Sequence, residues 1–161
     1  MTYEPSDKIG GLGDAEMQAF LMQPWNGRIA TLDAEGWPYV APVWYEYEPA
    51  SRTFLVVGRE RADWVGHIRV EPRVAFHVAD DGHAEHTRVL VQARAEIVEG
   101  PVAPAASPLL GELTRRLSLR YLGPTGPEYA ERTFGRPRVL VRLVPVQWRT
   151  WTGGEWHPRY R

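Results

Sequence analysis

The stretch WPYVAPVWYEY, residues 37 to 47, restricts the fold more than any other, because it alternates like a β-strand yet is apolar on both sides. Successive strand side chains point to opposite faces, so Tyr39, Ala41, Val43, Tyr45 and Tyr47 share one face and Val40, Pro42 and Trp44 the other. A strand with one face in water would carry polar residues at every second position. Here one face must fill an interior while the other also meets something other than water. Pro42 adds a second condition: it has no N–H to give a sheet ladder, so the sheet has an edge, a bulge or a gap there. The residues just before, GRIATLDAEG, read as the first arm of a hairpin that turns through Ala34-Glu35-Gly36, with the glycine supplying a positive φ.

The rest of the chain reads as more short strands with helical interruptions. Met17, Phe20 and Leu21 lie at helical spacing behind Asp14, a possible N-cap, which predicts a short helix over about 14–23. A third strand is expected over Thr53 to Gly58. Trp64, Val65 and Ile68 then suit one face of a short helix that ends before Pro72. Two strands follow, Val74 to Val78 and a longer one in which Val89, Val91, Ala93, Ala95 and Ile97 alternate with Leu90, Gln92, Arg94 and Glu96. Leu109, Leu113, Leu117 and Tyr121 recur every fourth residue, predicting a helix over Ser107 to Tyr121 within a helical insertion of about 107–134. Residues 138–144 and 146–151 read as two final strands. Six or seven antiparallel strands spaced in this way favour a small closed barrel over a parallel α/β sheet.

Composition narrows the function classes. The 161 residues suit one domain over 1–161, and no run approaches the ~20 apolar residues of a membrane span. The opening MTYEPSDKIGG has neither a basic nor an apolar export region, so a cytoplasmic location is expected. With no cysteine there are no disulfides and no thiolate metal sites. Nineteen basic residues against twenty acidic ones give no general field for nucleic acid, although local clusters could hold a small anion. Eighteen of the nineteen are arginine, which fits planar recognition of phosphate or carboxylate, or simply an Arg- and Ala-rich genome.

Four stretches in order, GWPYVAPVWYEY, FLVVGRERADWVGHIRVEPRVAF, RVLVQARAE and PVQWRTWTGGEW, resemble the FMN-binding split-barrel proteins of the pyridoxamine 5'-phosphate oxidase type over roughly residues 14 to 157. The resemblance implies a mainly β fold, a six-stranded antiparallel split barrel with α-helices, that pairs as a homodimer with two flavin sites between the subunits. It also implies FMN as cofactor and a small-molecule substrate, with no nucleic-acid or membrane partner. By the same resemblance Pro42, Val43 and Trp44 would face the isoalloxazine, and Arg88 and Trp151 would reach the flavin, Trp151 from the other subunit. The phosphate site departs from the family pattern: its hydroxyl and cationic ligands are replaced by Gly58, Ala62, Asp63 and Trp64. Arg59 and Arg61, just beyond the strand end and close to a helix start, are the substitutes this implies. Oxidation of pyridoxine phosphate itself is not implied, since the chain stops where the oxidases continue into substrate-binding residues and Arg159 is only a loose match.

Each of these residues has a plainer reading. Trp64 could be ordinary core, and Trp44 a subunit contact. Arg59 and Arg61 could pair with Glu60 or Asp63 on a solvated surface. The cluster of His77, Asp80, Asp81, His83, Glu85 and His86 has the donor types of a divalent-metal site, but Asp80-Asp81-Gly82 is a common turn between strands and no metal is assigned. Glu46 and Glu48 share a strand face without a placed partner for acid–base work. The expected function is an FMN-dependent oxidoreductase, with a deazaflavin-coenzyme reductase or a non-enzymatic flavin- or haem-binding module as alternatives.

Overall fold

In the computed structural model, which describes residues 9–83 and 86–153, seven antiparallel strands form one sheet. In chain order the elements are α1 (Asp14–Leu21), β1 (Gly27–Leu32), β2 (Pro38–Val43), β3 (Tyr45–Glu48), β4 (Thr53–Arg59), α2 (Asp63–Val70), β5 (Arg73–Ala79), β6 (Arg88–Val102), α3 (Pro108–Leu122), α4 (Gly126–Glu131) and β7 (Arg138–Trp151). The strands lie in the order β2-β1-β5-β6-β7-β4-β3. The two outermost, β2 and β3, are consecutive in the chain and separated only by Trp44. Counted as a single strand broken at Trp44, they pair with β1 on one side and β4 on the other, and the sheet becomes six strands curled into a split barrel. Of the edge, bulge or gap expected at Pro42, the structure shows the edge, and the break in the strand comes two residues later at Trp44. Pro42 itself sits on the edge strand, opposite Arg28.

The α3 helix closes the break from outside. Tyr121 stacks its ring on Trp44 at 5.2 Å and 3°, and its hydroxyl accepts from the Tyr45 N–H at 3.2 Å and donates to the Trp25 carbonyl at 2.9 Å. Backbone groups that the broken ladder would strand are thus satisfied by one side chain. Arg120, next along the helix, lies over the Tyr45 ring at 5.1 Å and donates to the carbonyls of Leu21 and Gln23. Burial pushes the Tyr45 hydroxyl far above its ordinary pKa, with Tyr121 adding to the effect, so it stays protonated and donates to the Leu21 carbonyl at 3.1 Å.

The barrel interior holds Ile29, Tyr45, Phe54, Val56, Phe76, Val91, Val141 and Leu143, with α1 contributing Met17, Phe20 and Leu21. A second cluster lies outside the barrel, where Leu110, Leu113 and Leu117 of α3 cover Leu55 and Leu140. The outer face of β2, β1, β5 and the first half of β6 has no such cover among the described residues. Across it run the register rows Pro42, Arg28, His77, Leu90 and Val40, Ala30, Ala75, Gln92.

Several expectations shift in detail. Gly13, not Asp14, caps α1, and the Glu16 carboxylate accepts from its N–H at 2.6 Å. Ser107 is the N-cap of α3, its hydroxyl accepting from Leu110 N–H at 3.1 Å, rather than the first helical residue. The two last strands are one, β7, because Pro145 and Val146 form an irregularity against Gln92 and Ala93 instead of ending the ladder. Trp148 packs against Phe54 and Tyr47 in the barrel. The Asp80 turn is as read: its carboxylate accepts from the N–H groups of Gly82 and His83. Glu85, Trp156 and Arg159 lie outside the described residues. Among those described, no helix is long and apolar enough to cross a membrane.

Candidate functional site

A groove of about 540 Å³ opens where the β2–β3 break meets the ends of β4 and β7, under the α3–α4 insertion. Its apolar wall comes from Pro42, Val43 and Trp44 together with Val57, Gly58 and Trp64. Gly58 is there for close packing: a Cβ on it would sit 2.6 Å from both Trp64 Cζ2 and Val65 Cγ2, so only glycine lets α2 lie directly on β4. The hydroxyl expected at that position by family pattern has no room. Trp64 is both of the things it could have been, 5% exposed within the barrel core and lining the groove.

The opposite wall belongs to the insertion, through Thr114, Leu117, Ser118, Tyr129, Ala130 and Thr133. The hydroxyls of Thr114, Ser118 and Thr133 each donate to a carbonyl within their own helical segment, those of Leu110, Thr114 and Ala130. What they have left to offer is lone pairs.

At one end the groove becomes basic. Arg59 and Arg138 line it, and both also line a second basin of about 800 Å³ that continues outward past Arg61 and Arg136, with Glu60 the one carboxylate of its lining. Burial, and after it the neighbouring charge of Arg59, draws the Arg138 pKa below its ordinary value. Neither Arg59 nor Arg61 pairs with Glu60 or Asp63 among the described residues, so the surface-pair reading of these arginines is not what the structure shows.

Six of the nine residues singled out in the sequence, Pro42, Val43, Trp44, Gly58, Arg59 and Trp64, meet in the groove, and Arg61 stands in the adjoining basin. Arg88 and Trp151 line neither. They face each other across the β6–β7 ladder, the guanidinium 5.9 Å from the indole centre. Sequence reasoning missed Arg138, Thr133 and the α3 wall. Their signal was faint: an arginine opening a strand and hydroxyls on a leucine-striped helix look like ordinary surface positions.

The fold and groove define a small antiparallel split barrel with a helical insertion over one flank. A sequence profile of the pyridoxamine 5'-phosphate oxidase family matches residues 14–152, and the chain belongs to that family. No curated protein sequence matches it significantly. Among solved structures it is similar to a conserved hypothetical protein, Rv2991, from Mycobacterium tuberculosis, at 25% identity and a TM-score of 0.67, covering 92% of this chain and 89% of that one. An F420 reductase matches at 24% identity and 0.63, over 82% and 94% of the two chains. The heme storage protein HutZ of Vibrio cholerae matches at 20% and 0.66, over 96% and 98%.

Proposed function

We propose that the protein is an FMN-dependent oxidoreductase that works as a homodimer on a small-molecule substrate. The observation that carries this reading is the groove: an apolar wall from Pro42 to Trp44 and Trp64 at one end, suited to a planar ring, and Arg59 with Arg138 at the other, suited to a phosphate. A bound flavin would supply the hydride chemistry. The chain's own part is to hold it. No His, Asp or Glu lines the groove among the described residues, which leaves Tyr129 as the ionisable side chain there besides the arginines. The same lining leaves haem without a histidine ligand, which sets the haem alternative behind the flavin.

The homodimer is supported by the uncovered sheet face, where Val40 is 60% exposed, and by Trp37, 72% exposed in the hairpin connection beside it. A partner seated there would also explain Arg88 and Trp151, which line neither the groove nor the basin and would approach the partner's groove. One observation favours the deazaflavin coenzyme as a second reading. The basin beyond Arg59, with Arg61 and Arg136 on its rim, has no task for a ligand that ends at one phosphate but would suit a longer anionic tail.

The test is an absorption spectrum of the purified protein, followed by mass spectrometry of the extracted chromophore. Oxidised-flavin bands and the mass of FMN are expected. A deazaflavin band selects the second reading, and a Soret band, or a colourless protein that binds neither coenzyme on titration, overturns both.

A further inference from the structure

The uncovered sheet face gathers positive charge that its own carboxylates do not balance. Arg28 and His77 stand directly opposite each other in the β1–β5 ladder. His77 is in turn opposite Leu90 of β6, which puts Arg88, two residues along that strand, on its diagonal. The charged groups that face His77 are Arg28, Arg88 and, from the turn after β5, Asp81. Burial first, then the two arginines, lowers the His77 pKa, while Asp81 acts the other way. Asp81 is already engaged by Arg28 Nη2, and Arg28 Nη1 is buried with no hydrogen-bond partner. Arg88 has no carboxylate among the described residues and lies over the Trp151 ring at 5.9 Å. Other arginines of the surface are paired, Arg73 with Glu71, Arg116 with Glu46 and Arg132 with Glu128.

A buried, unpartnered donor beside a half-buried imidazole and a second guanidinium is an arrangement that an anion completes. With Asp81 counted, the two arginines leave a single net positive charge while His77 is neutral, which fits a carboxylate better than a phosphate dianion. The same register row leads to the groove. Pro42, part of the groove's apolar wall, is the ladder partner of Arg28, so a carboxylate held at Arg28 and His77 lies one or two strand spacings, about 5–10 Å, from that wall. We propose that Arg28, His77 and Arg88 bind the carboxylate of a small organic acid whose uncharged part extends past Pro42 towards the groove. That this acid is the substrate rests on the oxidoreductase reading; the carboxylate site itself does not. Arg59 and Arg138 stand at the other end of the groove, so an anion there and a carboxylate here do not compete.

The probes are benzoate and its neutral analogue benzamide, titrated by calorimetry at constant ionic strength into the native protein and into Arg28→Gln, His77→Gln, Arg88→Gln, Asp81→Asn and Arg59→Gln, each with and without FMN. Benzoate should bind the native protein more tightly than benzamide. Arg28→Gln should weaken benzoate by about tenfold, the loss of a charge-assisted bond, and His77→Gln and Arg88→Gln several-fold, with benzamide unchanged. Asp81→Asn should tighten benzoate several-fold, because it removes the one carboxylate that opposes it. Arg59→Gln should bind benzoate as the native protein does, and FMN should not displace it. His77 also supplies a readout that a structural role would not move: its imidazole pKa, followed by NMR, should rise when benzoate is added, since a bound carboxylate favours the charged ring. Accordingly benzoate should bind less tightly at about pH 8 than at about pH 5.5 in the native protein and equally at both in His77→Gln.

Arg88→Gln and Asp81→Asn, which change opposite charges and should move benzoate in opposite directions, carry the test should Arg28→Gln fail to fold. Equal benzoate affinity across all the variants, loss of benzoate in Arg59→Gln, displacement of benzoate by FMN, or a native protein that binds benzoate no better than benzamide overturns the site. If benzoate behaves as expected while FMN does not bind the native protein, the carboxylate site stands and the flavin reading falls.

Discussion

The outer surface of the barrel is finished in two different ways. Over β4, β3 and the first half of β7 the chain supplies its own cover: α3 lays Leu110, Leu113 and Leu117 on Leu55 and Leu140, and Tyr121 seals the break at Trp44. Over β2, β1, β5 and the first half of β6 the described residues supply none, and small residues such as Ala30 and Ala75 lie between the exposed Val40, Leu32 and Leu90. One apolar face is closed within the chain; the other is left bare by the described residues. The groove sits where the two meet, with Pro42 and Trp44 from the uncovered edge and Thr114, Leu117 and Ser118 from the cover. A site at such a boundary can be shaped by the insertion of its own chain and completed by a second chain.

If the covered half is structural, breaking it should cost the most. Leu113 is fully buried between α3 and the sheet, so Leu113→Ala should destabilise the protein by about 2–5 kcal/mol through lost burial and a residual cavity. The loss should carry FMN binding with it, because the same helix bears three groove residues. Urea denaturation and FMN titration of this variant decide the matter: a loss below about 1 kcal/mol would mean that α3 is only loosely laid on the barrel and easily repacked.

The uncovered half should respond in the opposite way. Val40 is 60% exposed on the edge strand, so Val40→Arg should leave the unfolding free energy of the isolated chain within about 0.5 kcal/mol. In the dimer reading, however, it puts a charge into a desolvated apolar contact and should shift the protein from dimer to monomer by sedimentation velocity. A native protein that is monomeric at micromolar concentration, or a variant that dimerises as well as the native chain, would show that this face is not where two copies meet.

The two halves were not equally legible in the sequence. The doubly apolar strand at 39–47 announced the barrel and its break, because alternation and the missing N–H of proline are local facts. The leucine stripe of α3 announced the cover for the same reason. What could not be read is where distant segments touch. Arg59 and Arg138 become neighbours only through the β4–β7 register, at a separation of 79 residues that no periodicity reports. Conversely, Gly58 looked like a lost phosphate ligand until α2 was placed over it, when packing against Trp64 and Val65 accounted for it.

The smallest effect concerns charge on the uncovered half. His77 projects from its middle, and its pKa is lowered from 6.5 chiefly by burial, then by the nearby Arg28 and Arg88, with Asp81 acting weakly the other way. A group whose folded pKa is depressed contributes stability that is fully present above its unfolded value and is lost as pH falls through the folded one. Stability should therefore be flat above about pH 6.5 and decline below it, with a slope from this residue of at most one proton per chain. A partner seated on the face would bury His77 further and place Arg28 and Arg88 in a drier setting, so protonation should oppose association more strongly than it opposes folding. The dimer dissociation constant should rise as pH drops from 7 to 5, and His77→Gln should flatten that rise while leaving Arg28 and Arg88 in place. Should the pH profile of association be the same for the native protein and His77→Gln, the histidine lies outside the contact, and the partner covers Trp37 and Val40 at the edge rather than the centre of the sheet.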